Sequence, residues 1–251
     1  MGIASRPVVT PPGGHGPPLV SGAAETENRA VITAGRQARP APFPTIRSKE
    51  QTRFFQLVAL VSIPLFRVLF RPTVRGLEHL PREGGFVLSA NQLSNFDGCA
   101  LAYALLPRQL RWMGKAELFN PVTGPFVRGL GIFPVRRGEG DQVAMGTAID
   151  LARSGNIVVI FPEGTRRQKG FHKRREARPH SGAARVALTA GVPLVPAAIR
   201  GTERLTRFRQ WHVSFGPSIR LDDLGEKGAA REATRRLWST ILELESGLWS
   251  E

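Results

Sequence analysis

Phe86-Val87-Leu88-Ser89-Ala90-Asn91-Gln92-Leu93-Ser94-Asn95-Phe96-Asp97-Gly98 holds a change of period that sets the class of the fold. Phe86-Val87-Leu88 is a short apolar run of strand character, whereas residues 99–106 carry apolar side chains at helical spacing. A polar turn joins the two. Turns of this kind, between a strand and a helix, are where α/β proteins usually place their chemistry. Asp97 stands at the start of the helical run, where unpaired N–H groups and the helix dipole favour a carboxylate. It is therefore expected to cap that helix.

Downstream the alternation repeats. Residues 111–119 read as a strand entering a loop, 121–130 as a short helix, and 131–137 as a strand ending in Arg136 and Arg137. Residues 141–154 have helical spacing at Val143, Ala144, Ala148 and Leu151, and the apolar run Ile157-Val158-Val159-Ile160-Phe161 reads as a central buried strand. Next come Pro162-Glu163-Gly164-Thr165-Arg166-Arg167 and a basic loop with Lys169, His172, Lys173, Arg174, Arg175, Arg178 and His180. Residues 182–190 form an amphipathic helix, and 192–199 a strand that Pro193 and Pro196 are expected to confine to a sheet edge or to irregular pairing. A late strand over 212–215 and a terminal amphipathic helix over 229–244 complete the pattern, with Ala233, Leu237, Ile241 and Leu244 on one face. Strands and helices alternate without an internal repeat, so the class is α/β.

The chain of 251 residues, 41% hydrophobic and 22% charged, has room for one domain with a substantial core plus a tail. A single cysteine, Cys99, forms no internal disulfide and points to a reducing compartment. No Cys or His spacing matches a structural zinc site, so no metal is expected. The formal net charge of +15 calls for an acidic partner: nucleic acid, an anionic membrane surface, or phosphorylated and CoA-like molecules. Few aromatic residues lie near the basic clusters, which disfavours a stacking platform for single strands.

Residues 1–48 are rich in Pro and Gly, lack a hydrophobic period, and are expected to be a disordered tail without secretory character. Residues 49–75 form an apolar and basic segment around FFQLVALVSIPLFRVLF. Pro64 and Arg67 are expected to interrupt it before the roughly 20 residues that a spanning helix needs. It reads either as a helix in the membrane interface, with Arg53, Arg67 and Arg71 at headgroup level, or as a cover for the core. Residues 76–251 make up the α/β domain.

Four stretches stand in the order and approximate spacing of the phospholipid and glycerol acyltransferase family. They are Asn91-Gln92 through Asp97-Gly98, then Gly131 through Arg137 with Lys115 upstream, then Phe161-Pro162-Glu163-Gly164-Thr165-Arg166, and Val192-Pro193-Leu194-Val195-Pro196. The chain resembles that family over roughly residues 57–220, with the third stretch the most specific. The resemblance implies a single domain with a mixed central sheet flanked by helices. It also implies an O-acyltransferase of the 1-acylglycerol-3-phosphate type, working in phospholipid biosynthesis. Such an enzyme takes a fatty acyl group from acyl-CoA or acyl carrier protein, needs no further cofactor, and sits peripherally on the inner, cytoplasmic face of an anionic membrane. Its acceptor is a lysophospholipid such as lysophosphatidic acid.

Acyl transfer to a hydroxyl requires that the hydroxyl lose its proton as it attacks the thioester carbonyl. In the family a His takes that proton and an Asp orients the His, a triad whose nucleophile belongs to the substrate. Here Asp97 holds the Asp position and Gln92 the His position. By resemblance Arg137 and Arg166 grip the acceptor phosphate, to which the planar guanidinium fork is suited, while Glu163, Gly164 and Thr165 shape the pocket. A plainer reading stays open, with the arginines as surface cations and Glu163 as an ion-pair partner of the basic loop.

Glutamine has no titratable nitrogen, and three readings follow. The chain is an acyltransferase in which Asp97, Glu163, His172 or His180 moves the proton. It is a catalytically silent relative that binds phospholipid or acyl-CoA. Or its fold merely supports a basic surface for nucleic acid or another partner, which the retained third stretch disfavours.

Overall fold

Buried along its whole length, Phe86–Ala90 forms strand β2. In the computed structural model the described residues are 53–135, 142–164, 168–169, 173–174, 179–203, 210–225 and 227–249. The chain divides into two units, Met1–Pro42 and Phe43–Glu251, and all described residues belong to the second. The tail expected over residues 1–48 lies outside them.

In chain order the elements are α1 (Arg53–Phe70), β1 (Thr73–Arg75), β2, α2 (Asp97–Ala104), β3 (Leu110–Lys115), α3 (Gly124–Gly129), β4 (Ile132–Val135), α4 (Gln142–Arg153) and β5 (Ile157–Val159). There follow β6 (Gln168–Lys169), β7 (Lys173–Arg174), α5 (Gly182–Ala190), β8 (Leu194–Arg200), β9 (His212–Phe215) and α6 (Ala229–Trp249). The seven-stranded sheet has the order β1-β9-β8-β2-β5-β3-β4. Strands β8, β2, β5, β3 and β4 run parallel, β9 pairs antiparallel with β8, and β1 follows β9. The architecture is the α/β class with a mixed sheet flanked by helices. Strands β6 and β7 form a separate two-stranded pair.

The apolar runs lack a period of two because helices cover both faces of the sheet. Phe86, Leu88 and Ala90 of β2 enter one core with Ala100, Leu101, Trp211 and Phe70. Val87 enters the other, against Ala148 and Ala152 of α4, Ala184 and Ala187 of α5, and Leu237 and Ile241 of α6. Full burial of each large side chain stabilises by about 1.5–3 kcal/mol. Alanines on α4 and α5 let these helices lie close to the sheet. Gly85 marks the closest approach, since a Cβ there would stand 2.1 Å from the Ala152 carbonyl oxygen. The terminal helix α6 runs past the expected residue 244, with Leu248 buried near its end.

Two expectations are corrected. β8 is not an edge strand, because it lies between β2 and β9. Pro193 precedes it and offers its carbonyl to Val87 N–H. Pro196 accepts from Gly216 N–H at 3.0 Å just beyond the β8–β9 ladder, so its missing donor forfeits a single bond at the ladder's mouth.

Likewise Pro64 does not end α1, which runs through it for 18 residues. Both ends of α1 are anchored. Phe54 meets Phe126 edge to face at 5.3 Å, and Phe70 stacks on Trp211 at 4.2 Å. Those contacts offset the one backbone bond that proline removes. Between the anchors α1 exposes Leu57, Leu60, Val61, Leu65 and Val68, with Leu60 at 70% and Val68 at 74%. Among the described residues it is the one helix long and apolar enough to cross a membrane by length and composition.

Trp211 is fully buried and stacks on α1, so Trp211→Ala should destabilise the fold by about 3–5 kcal/mol in urea unfolding. It should also make the segment around Phe70 the first to be cut by protease.

Candidate active site

The parallel block presents its C-terminal strand ends on one edge. The β2–β8 ladder runs as far as Ala90 opposite Ala197, and β2 then passes into the turn 91–96. The chain leaving β2 goes into α2 on one face of the sheet, and the chain leaving β5 reaches α5 on the other. A crevice opens between strands whose connections diverge in this way.

The turn is held from three sides. Asn91, fully buried, donates from Nδ2 to Ile199 O at 2.9 Å and accepts from Ile199 N–H on Oδ1 at 2.7 Å. The carboxamide thus adds a further rung to the β2–β8 ladder. From the β5 side, Glu163 Oε1 accepts the Gln92 backbone N–H at 3.1 Å. From within, Asp97 Oδ2 accepts Leu93 N–H and Ser94 N–H, both at 2.7 Å. Asp97 Oδ1 takes the Thr202 hydroxyl, with the Ser94 hydroxyl at 3.5 Å.

Asp97 is the first residue of α2, and the residue that precedes the helix, Phe96, makes no side-chain cap. The expected helix cap is therefore corrected: the carboxylate gathers the N–H groups of the turn before it. Asp97 has no exposed surface. Burial outweighs its hydrogen bonds and pushes its pKa up to about 6. Burial and the nearby Asp97 charge also push the Cys99 thiol up, which makes it a poor nucleophile.

The Gln92 side chain is half-buried and has no hydrogen-bond partner among the described residues. Glu163 is buried. Gly164 follows in a tight turn, with φ +62° and its N–H donated to Phe161 O at 3.2 Å. A Cβ on Gly164 would lie 3.3 Å from Cδ2 and 3.6 Å from Nε2 of His180, so glycine serves both the backbone angle and the packing. His180 is itself fixed by its N–H, donated to Pro162 O at 2.7 Å.

The structure thus brings together Gln92, Asp97 and Glu163, with Gly164 in the same turn as Glu163. Arg137, Thr165, Arg166 and His172 lie outside the described residues. Lys115 ends β3 opposite Val135 at the end of β4, two residues before Arg137 in the chain. Asn91, quoted in the first stretch without a role of its own, and Thr202, not singled out in the sequence, complete the hydrogen bonding of the turn. Thr202 is 105 residues from Asp97, with no local pattern to link them. Asn91 was visible as a polar residue ending an apolar strand, and its partner strand was the missing piece. Among the described residues no group of His, Cys, Asp and Glu could hold a metal ion.

A family model described as Acyltransferase matches residues 71–200. Over 178 residues the chain is 37% identical to the 1-acyl-sn-glycerol-3-phosphate acyltransferase of Bacillus subtilis, a match covering 68% of this chain and 86% of that protein. It is 26% identical over 174 residues to the Streptococcus pneumoniae protein of the same name, covering 67% of this chain and 63% of that one. Among solved structures it is similar to the crystal structure of the 1-acyl-sn-glycerophosphate (LPA) acyltransferase PlsC from Thermotoga maritima. There the TM-score is 0.56 at 20% identity, with 87% of this chain and 88% of that chain covered, a likeness of fold.

The raised Asp97 pKa carries a sign. A carboxyl that titrates near 3.8 unfolded and near 6 folded stabilises the fold fully below the lower value, and the contribution is lost as pH rises through the higher one. Relative to Asp97→Asn, wild-type stability should fall by about 3 kcal/mol between pH 3 and 7. Thermal unfolding of both proteins across that range, compared pairwise at each pH, measures it.

Proposed function

The chain belongs to the acyltransferase family, and from that membership we propose that it moves a fatty acyl group from a thioester donor to a lysophospholipid hydroxyl. The acceptor is a lysophosphatidic-acid-like glycerophosphate, the donor acyl-CoA or acyl carrier protein, and the setting phospholipid biosynthesis. One observation carries the reading: the Gln92 N–H bond to Glu163 Oε1, at 3.1 Å. It joins the turn after β2 to the turn after β5, the two segments that the reading needs in one crevice.

In this reading Glu163 and Asp97 set the shape of the floor and touch no proton of the substrate. Arg137 and Arg166 bind the acceptor phosphate, with Thr165 donating a hydroxyl hydrogen bond beside them, and Gly164 keeps the turn open. The protein works peripherally at the inner face of an anionic membrane. The exposed apolar stripe of α1, flanked by Arg53, Arg67 and Arg71, and the +15 net charge support that location.

A second reading is favoured by one feature. Both Asp97 oxygens are occupied by the turn and Thr202, and the group at position 92 is an amide. A relative that binds lysophospholipid or acyl-CoA without turning it over fits that chemistry.

Thiol release from acyl-CoA and from acyl carrier protein, with and without lysophosphatidic acid, separates the two. Acceptor-dependent release is expected, and Arg166→Ala should lower kcat/KM by about 10- to 100-fold, mainly through KM for the acceptor. Acceptor binding without release establishes the silent reading. For the membrane, Leu60→Asp with Val68→Asp should weaken sedimentation with phosphatidylglycerol vesicles at least about tenfold while leaving the far-UV spectrum unchanged.

A further inference from the structure

We propose that His180 is the proton acceptor of this site, supplying the titratable nitrogen that Gln92 lacks. The inference rests on the acyl-transfer reading and names the residue that would carry its proton. Asp97 has no exposed surface, and both of its oxygens are engaged. Glu163 is buried and uses Oε1 to hold the backbone of Gln92. The Gln92 amide neither gains nor loses a proton near neutral pH.

His180 differs from all three. It is exposed, and its ring makes no hydrogen bond among the described residues. Its backbone N–H is tied to Pro162 O at 2.7 Å, and α5 begins two residues later, so its main chain is fixed at both ends. Its ring lies over Gly164, with Nε2 3.6 Å and Cδ2 3.3 Å from where a side chain would start there. Gly164 adjoins Glu163, whose carboxylate is bonded to Gln92. The imidazole therefore lies over the same turn at the exit of β5 whose Glu163 carboxylate holds the Gln92 backbone. The free carboxamide at Gln92 is suited to orienting the acceptor hydroxyl or the thioester carbonyl oxygen.

The step balances without a further reagent. The acceptor O–H gives its proton to an unprotonated His180 ring nitrogen as its oxygen forms a bond to the thioester carbon. The tetrahedral intermediate collapses, the C–S bond breaks, and the departing sulfur takes the proton back from the imidazolium. The products are an ester and a free thiol, and His180 is again neutral.

Four variants of the full chain test the assignment by thiol release. His180→Gln should lower kcat by about 10²- to 10⁴-fold with KM for the acceptor little changed. His180→Lys supplies a cation but offers no free base at neutral pH, and should lose the same rate. Should Lys preserve kcat, the residue is a phosphate contact and the proposal is overturned. Adding Gln92→His to His180→Gln should recover much of kcat, whereas no recovery in a folded protein marks a structural role and also overturns it. His79→Gln, on an exposed turn, is the control that leaves turnover unchanged.

A wild type that releases no thiol, beside a Gln92→His variant that does, removes His180 while the acyl-transfer reading stands. Folded proteins that are both inactive remove the acyl-transfer reading, and His180 with it.

Discussion

A carboxylate with no exposed surface needs its hydrogen-bond partners in place before it can be buried, and Asp97 collects them from two distant parts of the chain. Two backbone N–H groups come from the turn directly before it, and a hydroxyl comes from Thr202, just past the end of β8. The turn cannot open without stranding a charged group in the core. The chain after β8 cannot drift without losing the third bond. Asn91 repeats the logic one step upstream with a bidentate grip on Ile199. The shape of the crevice therefore follows from satisfying two buried polar side chains, and the strand pairing brings the partners within reach.

The same constraint accounts for the division of labour within the site. Burial that raises the Asp97 pKa also removes the carboxylate from contact with anything bound in the crevice. Asp97 thus acts on the conformation of the turn. Glu163 occupies a similar position on the β5 side, buried and committed to the backbone of Gln92. The exposed stripe of α1 belongs to a different level of organisation. Its two ends are bolted to the domain by aromatic contacts, so its apolar middle is a fixed surface of the folded domain.

Much of this was legible in the sequence, for physical reasons that can be named. Elements with one dominant period, such as α5 over Gly182–Ala190 and β9 over His212–Phe215, fall where their patterns predicted. Prolines misled because their cost depends on where the missing N–H would have pointed. Pro196 loses a single bond at the mouth of a ladder, and Pro64 sits in a helix whose ends are pinned elsewhere. Asp97 misled in the opposite direction. An acid at the start of a helix is usually read as a cap, and only the tertiary partner Thr202 reveals that it binds backward into the turn. The Asn91–Ile199 and Asp97–Thr202 bonds join residues more than a hundred positions apart, and no local window contains that information.

The glutamine at position 92 has a side chain that the scaffold does not use. Position 92 is held by its backbone, through Glu163, and its side chain takes part in none of the bonds that close the turn. Asp97 is satisfied without it. A residue with a titratable ring could stand there, or one without, and the crevice would keep its form. Scaffold and proton transfer are then separable properties of this fold. The turn after β2 is kept intact by Asn91 and Asp97 whatever side chain position 92 carries. Gly164 leaves room for the ring of His180, which any side chain there would meet.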